Sequence, residues 1–371
     1  MNILYICYHR TSDKAYQDLS VRYRCFNPAQ GLSSGGITAD VATFDMVNFS
    51  LLDRYDLIVF HRPAISNKLE KLVNRAEQRN CTVIADFDDF IFNPDYADQS
   101  PSFLNSQHPL AKIKDFFKRK YDALFLFDHF SVSTTPLVAE IKKIRPAAEV
   151  TVLHNYLSDV WLRHAQRLCL KRPGVKRITY LPGTNSHDHD FEVVQNVLKR
   201  FLKKNTDAIL RVVGPLKFIK KKYIPRQLEH APYVPYPLLP GLICDSWVTI
   251  APLADNIFNN CKSGLKYFES AAFGVPVVAS PIADMQRLES EALHLADTPN
   301  QWLKAFKLLS DKKYYERCSL SGIAHVKENC VLSHEIYKKA FAKYLQHEKY
   351  SDRLSRREHT GNQDKLQANA F

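Results

Sequence analysis

The segment Thr249–Asp284, TIAPLADNIFNNCKSGLKYFESAAFGVPVVASPIAD, constrains this 371-residue chain more than any other stretch. Val248–Ala251 is a short apolar run broken at Pro252, the pattern of a buried parallel strand. A polar loop follows, and from about Ser263 the residues Leu265, Phe268, Ala272 and Phe273 recur at helical spacing. Gly274 ends that helix, Pro276 forbids its continuation, and Val275–Ala279 reads as the next strand. Lys262 and Ser263 are thereby expected at a helix N-terminus, where free N–H groups and the helix dipole favour a phosphate. Lys266 and Glu269 lie further along the same helix.

The remaining chain repeats the strand-and-helix alternation. Asn2–Tyr8, Ile37–Phe44, Tyr55–His61, Thr82–Ala85, Phe130–Ser133 and Val150–His154 read as strands of one α/β half. Trp161–Arg177 is basic, carries Pro173–Gly174 and reads as a linker. Arg177–Leu181 and Ala208–Gly214 open a second half, and Pro232–Pro240 reads as an extended crossing. The expected units are residues 1–165, residues 166–345 and a polar, disordered tail over 346–371.

Asp86, Asp88 and Asp89 fall at the carboxyl end of a strand, the side on which open α/β sheets bind ligands. Carboxylates this close repel one another unless cations, hydrogen bonds or solvent compensate. Metal ligation, hydrogen bonds to sugar hydroxyls and helix capping are the three roles open to them. The second half has its own loop at a strand end, Pro182–Asp190, in which Gly183 permits close approach of a ligand.

A formal charge of +12 asks for an anionic partner. No nucleic-acid module signature is present, so nucleotide phosphates and anionic lipid are the expected partners and nucleic acid is not. Lys112–Lys120, on an amphipathic helix, and Lys217–Lys222 are the expected lipid contacts. No apolar run approaches the ~18 residues of a membrane span, and the N-terminus has no signal-peptide pattern. The eight cysteines are scattered without a C-x-x-C, as expected of reduced thiols in a cytoplasm. The expected location is cytoplasmic, including the inner face of the membrane.

Three motifs resemble the family 4-like group of GT-B glycosyltransferases. The first is F-N-x-x-K-S-x-L-K-x-x-E, matched by Phe258, Asn259, Lys262, Ser263, Leu265, Lys266 and Glu269. The second is G-[ST]-x-[ST]-H-x-x-D, matched by Gly183, Thr184, Ser186, His187 and Asp190. The D-x-D-D of Asp86–Asp89 is the third. The resemblance implies two Rossmann-like domains facing each other across a cleft. It implies sugar transfer from a nucleotide-diphosphate donor to a glycan or lipid-linked acceptor in cell-surface polysaccharide synthesis, with retention and without a metal cofactor. Glu269 would hold the donor ribose, while Gly183, Thr184, Asn259, Lys262, Ser263 and Lys266 would line the donor site. His187, Asp88 and Lys262 are the catalytic candidates; Arg24, Asp86 and Asp89 would bind or position the acceptor. The group's usual first glutamate, eight residues before Glu269, is Cys261 here, and its Arg/Lys pair after the strand preceding Gly183 is missing. The alternatives are a nucleotide-sugar epimerase on the same fold and a non-catalytic scaffold.

Overall fold

The computed structural model describes residues 2–9, 12–167, 174–183, 187–216 and 225–345. Two six-stranded, wholly parallel sheets form its framework. The first contains β1 (Asn2–Cys7), β2 (Thr38–Thr43), β3 (Leu57–His61), β4 (Thr82–Phe87), β5 (His129–Val132) and β6 (Glu149–Val152), in the order β2-β1-β3-β4-β5-β6. The second contains β7 (Lys176–Tyr180), β8 (Ala208–Val213), β9 (Leu228–Ala231), β10 (Val248–Ala251), β11 (Val277–Ala279) and β12 (Leu293–Leu295), in the order β12-β11-β10-β7-β8-β9.

Central strands are apolar because helices cover both faces. β3 (LIVFH) and β10 (VTIA) are buried along their whole length. Each strand order reverses direction once, between β1 and β3 in the first sheet and between β7 and β10 in the second. At such a reversal the loops leaving the two strands diverge and open a crevice at their carboxyl ends. In the second sheet those loops carry Gly183 and the segment running to Ser263. In the first, β3 leads to Arg62, and β4 beside it leads to Asp88 and Asp89.

Four readings change against the structure. Residues 159–167, overlapping the start of the expected linker, form a helix whose Trp161 and Ala165 are buried against the second half. The expected extended crossing ends in a short helical turn at Tyr236–Leu238 and a helix at Leu239–Cys244, because Pro237 and Pro240 occupy first-turn positions where no N–H is needed. A helix at Lys312–Asn329 carries little apolar periodicity and was not visible as a pattern. β4 runs two residues further than expected, to Phe87, which draws Asp86 into the sheet.

After that long helix the chain returns to the first half. Tyr337 and Phe341, on the helix His334–Leu345, pack with Ile3 and Tyr5 of β1. At Gly31 a methyl group would lie 1.9 Å from Leu332, so a larger residue there would displace the Leu332 side chain. Residues 346–371, the expected tail, lie outside the described residues.

Candidate functional site

In the second half, three segments converge on the crevice between β7 and β10. Gly183, three residues past β7, adopts φ +80°, a conformation that a side chain would strain. Asp190, four per cent exposed, ties the two loops together. One of its oxygens accepts from Ala254 N at 3.0 Å and from Asn259 Nδ2 at 2.6 Å. The other bonds His187 Nδ1 at 2.7 Å and lies 3.9 Å from the Lys262 ammonium. Burial alone would raise the Asp190 carboxyl, but His187 and Lys262 outweigh it and hold it below its ordinary value. His187 is pushed down by burial and by Lys262, against the pull of Asp190.

The helix begins at Leu265, capped by Gly264, rather than at Ser263 as expected. Asp284 takes over the N-terminus by accepting from Gly264 N at 2.7 Å. Lys262 and Ser263 therefore lie in the loop preceding the helix. The buried Ser263 Oγ and Asn259 Oδ1 have no hydrogen-bond partner among the described residues. Lys266 donates to the carbonyl of Leu181 at the end of β7, and burial lowers its pKa. Glu269, five per cent exposed, accepts through Oε1 from Tyr23 of the first half at 2.8 Å. Burial raises its pKa against the pull of Lys266 and Tyr23. Thr184 and Ser186 lie outside the described residues.

Cys261, at the position of the group's usual glutamate, is one per cent exposed and packs in the apolar core of the first half. Its carbonyl accepts from Thr134 Oγ1 at 2.8 Å, and neighbouring Phe258 stacks near Phe90 and Phe117. This loop is an interdomain contact, and a carboxylate at its centre would be buried in an apolar core.

In the first half, sheet register brings His61, Asp86 and Ser131 side by side on β3, β4 and β5. Asp86 accepts from Arg24 Nη2 at 2.5 Å and Ser131 Oγ at 2.6 Å through one oxygen. Through the other it bonds Arg24 Nε at 3.0 Å and His61 Nδ1 at 2.9 Å. Burial would raise this carboxyl, but Arg24 and His61 hold it well below the usual carboxylate range. Arg24, expected to face the cleft, is instead buried on Asp86, the Leu153 carbonyl and Asn155. Both residues hold the strand ends in position.

Asp88 and Asp89 are held by Arg62, whose Nε lies 2.5 Å from Asp88 and whose Nη2 lies 2.5 Å from Asp89. Arg62 adopts φ 53°, rare for a residue with a side chain, and its N–H donates to the Asp86 carbonyl at 2.7 Å. Ser20 Oγ donates to Asp88 Oδ2 at 2.6 Å and also lies 2.8 Å from His61 Nε2. Arg62 and His61 outweigh the upward push of burial and lower the Asp88 pKa. Its carboxylate is thus a firm acceptor for a hydroxyl and a weak proton base.

Ser20, Tyr23, His61, Arg62 and Tyr236 were missed from sequence. Only His61–Arg62 left a signal there, as polar residues closing an otherwise apolar strand. Of the basic helix, Lys112, Lys114, Lys118 and Arg119 are exposed, but Lys120 is buried. Its ammonium donates to the Arg62 carbonyl at 3.3 Å, and burial lowers its pKa to about 7, so it leaves the proposed lipid-facing set. Lys217–Lys222 lie outside the described residues. No helix among the described residues is long and apolar enough to cross a membrane.

No protein-family model matches the chain, and no curated protein matches it in sequence. Solved structures do match in fold. An alpha-glucosyltransferase in complex with UDP-glucose and DNA containing an abasic site superposes with TM-score 0.60 at 12% identity, over 93% of this chain and 100% of its own. HepE of Anabaena in complex with UDP superposes with TM-score 0.57 at 12% identity, over 93% and 99%. A UDP-forming trehalose-phosphate synthase from Burkholderia xenovorans gives 0.52 at 13% identity, over 82% and 78%. Together with the two doubly wound parallel sheets, these matches show that the chain has the α/β GT-B fold, two Rossmann-like domains facing each other across a cleft.

Proposed function

We propose that this protein is a glycosyltransferase that moves a sugar from a nucleoside-diphosphate donor to a glycan or lipid-linked acceptor in cell-surface polysaccharide synthesis. The observation that carries the reading is the convergence of His187, Lys262, Ser263, Lys266 and Glu269 at the strand-order reversal of the second sheet. Uridine diphosphate is the first donor class to test, since the fold neighbours are described with UDP or UDP-glucose.

In this reading Lys262, with Ser263 Oγ and the backbone at Gly183 and Thr184, stabilises charge developing on the departing diphosphate. No metal is assigned to that task, and Lys266 and Asn259 shape the pocket floor. Glu269 accepts from the ribose hydroxyls and fixes the donor's geometry. His187 bonds Asp190 through Nδ1, which leaves Nε2 as the atom it offers to a ligand. Asp88 and Asp89, pre-set by Arg62, receive acceptor hydroxyls, and Arg24–Asp86 keeps them in place. Retention follows from the resemblance to the family 4-like group and is read from the product's anomer. An epimerase on this fold would consume the nucleotide sugar with no acceptor present, and a scaffold would bind without turnover.

Lys262→Ala is expected to lower turnover about 100-fold, the usual cost of losing one group that stabilises transition-state charge. Release of UDP from a UDP-sugar in the presence of acceptor measures it. Unchanged turnover would remove Lys262 from the chemistry.

The acceptor's lipid would bring the protein to the inner face of the cytoplasmic membrane through Lys112, Lys114 and Lys118. Flotation with phosphatidylserine vesicles is expected to recover the wild type and to lose the triple glutamate variant. Equal recovery of both would exclude this helix as the contact.

A further inference from the structure

The Glu269 carboxylate already holds a hydroxyl, and that hydroxyl comes from the opposite domain. Tyr23 OH lies 2.8 Å from Glu269 Oε1 and 3.2 Å from Tyr236 OH, with Tyr23 one per cent exposed. The neighbouring Arg22 guanidinium lies between the rings of Tyr16 and Tyr236, at 3.7 and 4.1 Å from their centroids. Its Nη2 donates to the Tyr16 carbonyl at 2.6 Å, while its buried Nε has no partner among the described residues. Behind Glu269, Trp161 Nε1 donates to the Glu269 carbonyl at 3.2 Å, and the Trp161 ring lies 4.7 Å from that of Tyr236. Arg22–Phe26 is a π-helical turn, a form that accommodates one extra residue at a cost and recurs at functional sites.

We infer that the Arg22–Tyr23 turn of the first domain plugs the nucleoside subsite, the Tyr23 hydroxyl standing in for a ribose hydroxyl on Glu269. This rests on the reading of Glu269 as the ribose carboxylate. A phenol O–H on a carboxylate oxygen makes the bond a sugar hydroxyl would make, and both cannot occupy the same lone pair. Because Tyr23 and Glu269 are almost wholly covered, a ribose reaches the carboxylate only when the turn moves. The free protein is therefore self-occupied, and nucleotide binding exchanges an interdomain bond for a ligand bond. The exchange couples donor entry to the relation between the two domains.

Titration calorimetry and stopped-flow binding of UDP, GDP and ADP to wild type, Tyr23→Phe and Glu269→Ala test the inference. Tyr23→Phe keeps the ring and removes only the competing hydroxyl. It is expected to bind the cognate nucleotide about tenfold tighter, with the gain in association rate. Hydrogen exchange gives a second readout in the wild type, where nucleotide is expected to speed exchange at residues 20–26. Equal or weaker binding by Tyr23→Phe, or a gain confined to slower dissociation, would overturn the plug. If wild type binds, Glu269→Ala does not, and Tyr23→Phe matches wild type, the site reading stands and the plug falls. If no nucleotide binds wild type or Tyr23→Phe, both fall together.

Discussion

Glu269→Ala is expected to weaken nucleotide binding about 100-fold while leaving the fold in place. Two hydroxyl hydrogen bonds to a carboxylate in a water-poor site are each worth about 1.5 kcal/mol or more, which together give that factor. The fold is expected to survive because burial outweighs Lys266 and Tyr23 at this carboxyl and raises its pKa, so its charge is tolerated rather than favoured there. Its partner Tyr23 keeps the Tyr236 hydroxyl at 3.2 Å after the change. Calorimetry reads the affinity and an unfolding scan the stability. A variant that unfolds near the wild-type midpoint yet binds normally would detach Glu269 from the nucleotide.

The largest effect on stability is expected at Asp86. Asp86→Ala removes the counter-charge of Arg24, three per cent exposed, and strands a buried guanidinium together with His61 and Ser131. Removing one partner of a buried ion pair costs about 3–5 kcal/mol, against which a hydrophobic gain from one methyl group is small. The same residue sets an acid limit. Its folded pKa is depressed, so its stabilising contribution is complete above the ordinary aspartate value, about 3.9, and is lost as pH falls through the depressed folded value. Urea unfolding at pH 7 and at pH 3 measures both limbs. Wild type is expected to lose stability between them, and the variant to be weaker at pH 7 with a flatter acid response. A loss below about 1 kcal/mol at pH 7 would contradict the network's role.

The fold was legible because its signals are local. An apolar strand closed by Pro252 and a helix closed by Gly274 and Pro276 fix one strand–helix–strand unit, and repetition of that pattern fixes the rest. The candidate donor residues could be named for the same reason, since Lys262, Ser263, Lys266 and Glu269 share one short segment. What escaped lies across the chain. Tyr23 meets Glu269 over a separation of 246 residues, and His61, Asp86 and Ser131 meet only through the register of three strands. Arg24 read as a cleft residue because an arginine beside a ligand and an arginine beneath a sheet look alike until Asp86 is seen inside β4. Lys120 shows the same ambiguity within one helix, where a single residue's rotation separates a surface lysine from a buried one.

Thermal unfolding of the wild type against UDP, GDP, ADP and their common sugar derivatives tests the central claim most directly. A ligand that binds the folded state at about 100 times its dissociation constant adds roughly 2.7 kcal/mol of stability, a shift readily seen in the midpoint. One base class is expected to raise the midpoint, whether as diphosphate or as nucleotide sugar. A flat response across the whole panel would contradict a nucleotide site at the β7–β10 crevice and bring the scaffold alternative to the front.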